Sequence, residues 1–465
     1  MKRFLPLLPA ALLCGCAMGP NYHRPQVAVP GAYRNAPPPG ADAASIADSK
    51  WQSLFSDDTI NQLVSRALAN NFDLRTAAER VEQARAQLGS TRANQYPFLD
   101  AQASLSGVRN SSVGSFTFVP KGTKLSAAYT TLGAALSWEV DLWGRLRRLT
   151  EAARANYLAS EEGRRALQVS LVADVIESYF QLLELDSELE ISRKTVATAQ
   201  DSLRIVGLRH DRGAASALDV RQAEQLLYTA TVRIAAAQRA VAQTEDQLSL
   251  LQGDVPGGQA RGRKLEDIPV PAQVAPGLPS ALLERRPDIR QAEQTLVAAN
   301  AQIGAARALY YPRISLSGFA GGQSRYLEDI ATAPARTYSV VPSATQAVFH
   351  AGQIRNEVRA TEAQQREMLI GYQRTIYAAL REVADALAGF DRLREERTQQ
   401  EHLVTTLEDT VRLSDLRYRG GLDSYLQVLD AQRNLFSGQL ALAQLRLQER
   451  VALVQIYRAL GGGWS

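Results

Sequence analysis

The chain of 465 residues contains two copies of one long sequence, and this repeat constrains the fold more than any other feature. Asp73 of the first copy recurs as Asp288, and Gly144 recurs as Gly352, so the offset falls from 215 to 208 positions. A period this long indicates two equivalent halves rather than a solenoid of short repeats. The second copy lacks seven residues between positions 107 and 144 of the first, which marks an exposed loop there.

The repeat runs through most of the chain. Pairs with the offset of 215 are Arg75 and Arg290, Gln87 and Gln302, Gly89 and Gly304, Arg92 and Arg307, Tyr96 and Tyr311, Pro97 and Pro312, and Gly107 and Gly322. Pairs with the offset of 208 are Arg147 and Arg355, Arg209 and Arg417, Gly213 and Gly421, Ser216 and Ser424, Leu218 and Leu426, Val220 and Val428, Ala223 and Ala431, and Gly253 and Gly461. The two copies should therefore build the same elements in the same order.

The N-terminus has the features of a bacterial targeting segment. Lys2 and Arg3 precede an apolar stretch, and the following Leu13-Cys14-Gly15-Cys16 resembles a lipobox in which Cys16 would be acylated. An ordinary secretory signal with an incidental cysteine is the alternative. Residue 17 is Ala, not the Asp that resembles an inner-membrane retention signal, so we expect the outer membrane.

Charge and hydropathy argue against two classes of protein, those that bind nucleic acid and those with membrane-spanning helices. Without the targeting segment the chain keeps 50 basic and 48 acidic residues, with no basic cluster interleaved with aromatic residues, so we expect no nucleic-acid partner. After residue 15 we find no run of about 18 apolar residues and expect no membrane-spanning helix. Any membrane crossing must then use β-strands.

Two segments of each copy alternate between apolar and small or polar residues, the pattern of a strand with one face in lipid. The apolar positions are Leu99, Ala101, Ala103 and Leu105, then Leu132, Ala134, Leu136, Trp138, Val140 and Leu142, and in the second copy Ile314, Leu316 and Gly318, then Tyr338, Val340, Ala344 and Val348. Each pair brackets the loop of variable length and predicts a hairpin, with a loop at about 108–129 in the first copy. Soluble hairpins packed on a core are the alternative. Four strands cannot close a barrel, so a membrane sheet requires several chains.

Long helices are predicted between the hairpins. Val220, Leu227, Ile234, Val241 and Leu248 recur every seven residues, as in a coiled coil, and the second copy keeps this pattern with Glu449 as an interruption. The helices of each copy turn at 209–216 and 417–424, where glycine permits a helix end. The proline-rich segment 253–287 reads as the connector between copies.

We find none of the sequence motifs of catalysis. His23, His210, His350 and His402 lie far apart, and no phosphate loop, nucleophile elbow or zinc-binding helix motif occurs. We therefore expect no enzyme activity, no metal site and no cofactor.

The chain resembles the outer membrane factor family, the TolC/OprM-type exit ducts, and within it the NodT-like lipoprotein branch. The segments that carry this resemblance are Cys16–Pro25, Trp51 to Phe55, Leu282–Arg290, Arg417–Gln432 and Gly461–Trp464. The resemblance implies a mixed α and β membrane protein. In it a homotrimer forms a 12-stranded outer-membrane β-barrel, four strands per chain, continued by a long periplasmic α-helical barrel.

The same resemblance implies a function and its site. The trimer would be the exit duct of a tripartite efflux pump, with a periplasmic adaptor and an inner-membrane RND pump as partners. It would close at the helix turns: Arg417 and Tyr418 would latch one helix pair to Asp219 of a neighbouring pair, and Leu426 and Asp430 would line the constriction. Gln427 stands where the TolC branch has a second acidic ring, so we expect one ring.

The organisation follows from these observations. We predict a signal peptide (1–15), a lipid-anchored extended segment (16–50), a first repeat (51–268, with a hairpin at 98–142) and a second repeat (269–465, with a hairpin at 313–349). A duct for type I protein secretion and a lipid-anchored coiled-coil scaffold remain alternative functions. The sequence does not indicate the substrates, the adaptor and pump it serves, or whether the resting duct is open.

Overall fold

The structure, a computed structural model, describes residues 17–36, 45–48, 51–55, 57–109, 111, 126–271 and 273–462. The chain divides into two compact units. The first comprises Met1–Pro25, Val81–Ala159 and Ala292–Tyr372, and the second comprises Gln26–Arg80, Ser160–Gln291 and Gln373–Ser465. The predicted Cys16 lies outside the described residues.

Helices and strands follow each other in the same order in both copies. The helices are α1 (Trp51–Leu54), α2 (Asp58–Asn70), α3 (Phe72–Ala93), α4 (Arg145–Asp211), α5 (Ala217–Leu251), α6 (Leu282–Arg285), α7 (Pro287–Ala308), α8 (Gln353–Arg419) and α9 (Tyr425–Ala459). The strands are β1 (Phe98–Arg109), β2 (Ser126–Val140), β3 (Arg313–Ser324) and β4 (Arg336–Thr345). Both α4 and α8 have 67 residues, and both α5 and α9 have 35. The repeat therefore fixes the lengths of these helices as well as their order.

The first unit contains one antiparallel sheet in the order β1-β2-β3-β4. Phe98 pairs with Ser137, and shifting these residues by 215 and 208 positions gives Arg313 and Thr345, which also pair. The second hairpin thus has the register of the first. Within the described residues, β1 and β4 each pair with one strand, so both edges of the sheet have unsatisfied backbone groups.

The strand boundaries correct two expectations. Arg109 still belongs to β1 and Ser126 to β2, so the first loop is shorter than 108–129, and its residues 112–125 lie outside the described part. β4 ends at Thr345, so Val348 follows the strand that it was expected to join. Apolar side chains such as Leu99, Leu105 and Val340 are largely exposed within one chain, as a lipid-facing surface would be.

The second unit is a packed helical body. Ala223, Ala230 and Ala237 of the predicted coiled-coil pattern are buried on α5, where a small side chain lets a neighbouring helix approach. Glu449, the interruption in α9, is also buried, and its carboxylate lies 2.9 Å from Nε of Arg397 on α8. The charge is therefore accommodated by an ion pair rather than by a break in the helix.

One expectation about the membrane needs correction. An 18-residue stretch of α4 is long and apolar enough to span a bilayer, with a mean hydropathy of 1.2. The chain buries 61% of this stretch, as it would the core helix of a packed bundle. We therefore interpret this stretch of α4 as part of a packed helical core rather than as a membrane span.

Candidate functional site

The two helix turns of the second unit have the same backbone. α4 ends at Asp211 and α5 begins at Ala217, and shifting both by 208 positions gives the end of α8 and the start of α9. Gly213 and Gly421 have φ of 74° and 75°, a left-handed conformation that favours glycine at a helix C-terminus. Any functional difference between the turns must therefore come from their side chains.

Arg209, which the sequence analysis did not select, joins the two turns within one chain. Its guanidinium lies 4.3 Å from the ring centre of Tyr418. It also donates hydrogen bonds to the backbone oxygens of Tyr418 and Arg419, at 3.3 and 3.4 Å. A cation at the C-terminal end of a helix is favourable because the last carbonyl groups lack helical partners. Arg209 thus holds the end of α8 against the end of α4.

Tyr418 packs in a core cluster beneath this contact. Its ring lies 5.5 Å from that of Tyr425, and both side chains are buried beside Val206 and Leu226. Tyr418 Oη has no hydrogen-bond partner among the residues that the structure describes. Burial raises the pKa of Tyr425 to about 12. A buried hydroxyl without a hydrogen-bond partner costs about 1–3 kcal/mol, so an arrangement that gives Tyr418 Oη a partner would be favoured.

The predicted bond from Tyr418 to Asp219 is absent within one chain. The carboxylate of Asp219 accepts hydrogen bonds from N and Oγ of Ser216, both at 2.9 Å, and its own N–H donates to Ser216 Oγ. This is a capping box that satisfies the N-terminus of α5. Whether Asp219 meets a tyrosine of a neighbouring copy stays a prediction.

Arg417 forms a contact that was not predicted from the sequence, while its predicted role as a latch to a neighbouring helix pair stays a prediction. Within its own turn it forms a bidentate pair with Asp423, with N–O distances of 2.6 and 3.1 Å. The hydrogen bond from Arg417 lowers the pKa of Asp423. Asp423 was not predicted as a site residue, although the repeat offers a signal, because the matching residue in the first turn is Ala215.

Leu426 and Asp430 lie one helical turn apart on an exposed face of α9. Leu426 is half exposed, and the carboxylate of Asp430 accepts a hydrogen bond of 3.2 Å from Asn434. Residues at positions i and i+4 share a helix face, so both side chains can point into one space. Their role in a constriction stays a prediction.

The segment after the predicted lipidation site is firmly held by the first unit. Arg148 is buried and donates hydrogen bonds to the backbone oxygen of Met18 and to Oδ1 of Asn21, at 3.1 and 2.8 Å. Met18 N donates to the oxygen of Trp143, just beyond β2. Residues 18–21 therefore lie close to the end of β2.

The described residues contain no cluster of His, Cys, Asp and Glu that could hold a metal ion. The site offers cation–π contacts, helix caps and ion pairs at helix ends, which are means of holding elements together. Such an arrangement can lock or release two helix pairs.

Comparisons with known proteins agree with these features. A family model described as outer membrane efflux protein matches residues 63–254 and 278–462. The probable efflux pump outer membrane protein TtgC of Pseudomonas putida is 37% identical over 460 residues, which cover 98% of this chain and 94% of that protein. The cation efflux system protein CusC of Escherichia coli is 34% identical over 468 residues, 100% of this chain and 99% of that protein.

A solved structure shows the same fold. The open state of the MtrE outer membrane channel of Neisseria gonorrhoeae superimposes with a TM-score of 0.85 and 30% identity, over 97% of this chain and 99% of that one. These comparisons confirm the predicted fold class and the outer-membrane location. The two matched segments, the four-stranded sheet and the paired long helices thus have one explanation: the chain belongs to the outer membrane efflux protein family.

Proposed function

We propose that this chain is the outer-membrane exit duct of a tripartite efflux pump. It works as a homotrimer, with a periplasmic adaptor and an inner-membrane RND pump as partners, and conducts small molecules passively from the periplasm to the exterior. Family membership supports transport rather than catalysis. The two unpaired sheet edges support an assembly of several copies, because a sheet in lipid must close.

The contact of Arg209 with Tyr418 carries the proposal of a gate at the helix turns. It links the ends of two helix pairs by a few polar and cation–π contacts. Contacts of these kinds contribute about 0.5–3 kcal/mol each, so an adaptor that binds an open form better could overcome them. Leu426 and Asp430 are the proposed lining of the closed end.

The substrate class follows from the pump rather than from the duct. TtgC is named for an efflux pump and CusC for cation efflux, yet their identities with this chain are similar. We therefore propose small molecules in general. We also propose that Cys16 is lipidated, which the lipobox-like Leu13-Cys14-Gly15-Cys16 supports.

The test is made in a Gram-negative host that lacks its own duct of this family and expresses this chain together with the adaptor and inner-membrane pump of a tripartite system. Parent protein should restore efflux of ethidium and leave the cells resistant to vancomycin, which is too large for a closed duct. Arg209→Ala should sensitise the cells to vancomycin. Arg212→Ala removes an exposed arginine from the same turn and should not. If the parent restores no efflux of any dye tested, the proposed function is wrong.

A further inference from the structure

Arginines at matching positions of the two turns have different partners. Arg209 reaches across to the end of α8, where it contacts Tyr418 and Arg419. Arg417, 208 positions later, folds back onto Asp423 in its own turn. Because the backbones of the turns match, this difference is not a consequence of loop length.

The difference follows from where each turn has its acidic residue. In the first turn Asp219, the third residue of α5, caps the helix, and the position that matches Asp423 is Ala215, so Arg209 has no acid at that position to bind. In the second turn the position that matches Asp219 is Gln427, and the acid is Asp423, immediately before the Ser424 cap. Ser424 makes no side-chain cap bond, so the second turn has an ion pair in place of a capping box.

The repeat also indicates what Arg417 would otherwise bind. The groups that Arg209 contacts, Tyr418 and Arg419, correspond to His210 and Asp211 of the first turn. In a ring of copies, the second turn of one chain is followed by the first turn of the next. Arg417 could there donate to the carbonyl oxygens at the end of the next copy's α4. Asp211 would add a carboxylate to this contact, whereas Arg209 meets Arg419 at the matching position.

We propose that Asp423 is an intramolecular competitor that withholds Arg417 from the neighbouring copy. The joints between chains are then weaker than the joints within each chain, and the constriction opens between chains first. This inference rests on the proposed function, because it requires a ring of copies that closes at the turns. The residues at positions 423 and 215 then determine whether Arg417 and Arg209 bind within their own turns or bind the next turn in the ring.

The first test is single-channel recording of purified trimers in planar bilayers. Asp423→Ala frees Arg417 for the next copy, so the open fraction should fall about threefold to tenfold, the size expected for one charged hydrogen bond partly screened by water. The temperature at which trimers dissociate should rise. In an Arg417→Ala background, Asp423→Ala should change neither quantity, because the group for which Asp423 competes is absent.

The reciprocal test places an acid in the first turn. Ala215→Asp should capture Arg209, release Tyr418 and raise the open fraction. Ala215→Asn has nearly the same shape without the charge and should behave like the parent. Positions 215 and 423 both lie in turns between two helices. The yield of trimer in the same preparations shows whether each variant folds.

The outcomes separate this inference from the proposed function. If the parent forms no channels, both are wrong. If the parent conducts but Asp423→Ala leaves the open fraction unchanged or raises it, the competitor role of Asp423 is wrong while the duct stands. The same holds if the effect of Asp423→Ala persists without Arg417. If Ala215→Asn opens the channel as much as Ala215→Asp, side-chain size and not charge controls opening, and the proposed competition for the arginines is wrong.

Discussion

At the residue scale, the helix-end site is an arrangement of competing partners for a few charged side chains. Arg209 binds the end of α8, Asp219 binds Ser216 at the start of α5, and Arg417 and Asp423 bind each other between α8 and α9. Helix ends are suited to such contacts because their backbone groups are otherwise unsatisfied. A substitution of one charge should therefore shift which helix pairs are joined rather than unfold the chain.

We predict that Asp430→Ala weakens the preference of the open channel for cations and its block by multivalent cations. Asp430 is exposed on α9, and three copies facing one axis would concentrate negative potential. Reversal potentials in a salt gradient measure the preference. Asp430→Asn keeps the size of the side chain and should have the same effect. Unchanged selectivity in both variants would place the constriction elsewhere.

A buried carboxyl group on α4 should make stability depend on pH. Burial, together with the charge of the neighbouring Glu188, raises the pKa of Glu184 from an ordinary value of 4.5 to about 7. The folded chain then binds a proton between these values that the unfolded chain has released. The stabilisation is complete below pH 4.5 and is lost as the pH rises through 7.

We predict that Glu184→Gln reduces the loss of stability between pH 4.5 and 7, by up to about 1 kcal/mol per pH unit. Thermal unfolding of the solubilised protein at several pH values measures this. Glu190→Gln is the control, because hydrogen bonds from Lys194 and Lys264 lower the pKa of Glu190 to about 2, outside that range. An unchanged pH profile in Glu184→Gln would show that this carboxyl group is ionised throughout.

At the element scale, the matched turns allow the cap of α5 to be tested against a natural counterpart. Asp219→Ala removes the capping box and should destabilise the first turn of α5 by about 1 kcal/mol. Gln427→Ala alters the matching position of α9, where Ser424 has no side-chain cap bond, and should have little effect. Amide hydrogen exchange of residues 217–221 and 425–429 measures both. Equal protection of 217–221 in Asp219→Ala and the parent would contradict a capping role.

The elements were predictable from the sequence because the repeat constrains them twice. Alternation located the strands, and glycines 213 and 421 located the turns, since both signals depend only on local backbone geometry. The partners within the site were not predictable in this way. Arg417 binds Asp423 within its own turn, and this choice of partner depends on side-chain direction and on distances across the turn, which no sequence pattern encodes.

At the scale of the whole molecule, the repeat predicts how copies join. Ala135 of β2 pairs with Phe319 of β3. The repeat equivalent of Ala135 is Ser343 of β4, 208 positions later, and that of Phe319 is Ser104 of β1, 215 positions earlier. We therefore predict that Ser343 of β4 lies opposite Ser104 of β1 in the next copy. In both strands these serines belong to the polar set that alternates with the apolar residues, so this register places polar residues of the two copies on the same face of the sheet.

Cysteine cross-linking measures this register. Residues directly opposite in antiparallel strands have Cα atoms about 4.5–5.5 Å apart, within the range of a disulfide. Ser104→Cys with Ser343→Cys should give covalent trimers and no larger species, because three copies close the ring. Ser104→Cys with Thr345→Cys keeps the same face but shifts the register by two residues, and should cross-link much less. Preferential cross-linking of this control would contradict the predicted register.

The most direct test of the account is the conductance of the covalent trimer itself. Purified Ser104→Cys, Ser343→Cys protein is oxidised, isolated as the trimer and recorded in a planar bilayer, before and after reduction. If three copies of this chain close one sheet into the exit duct, the oxidised trimer should conduct in discrete steps with the conductance of the parent. A covalent trimer that forms in full yield but passes no current, while the reduced protein conducts, would show that the pore is not the closed ring of three chains.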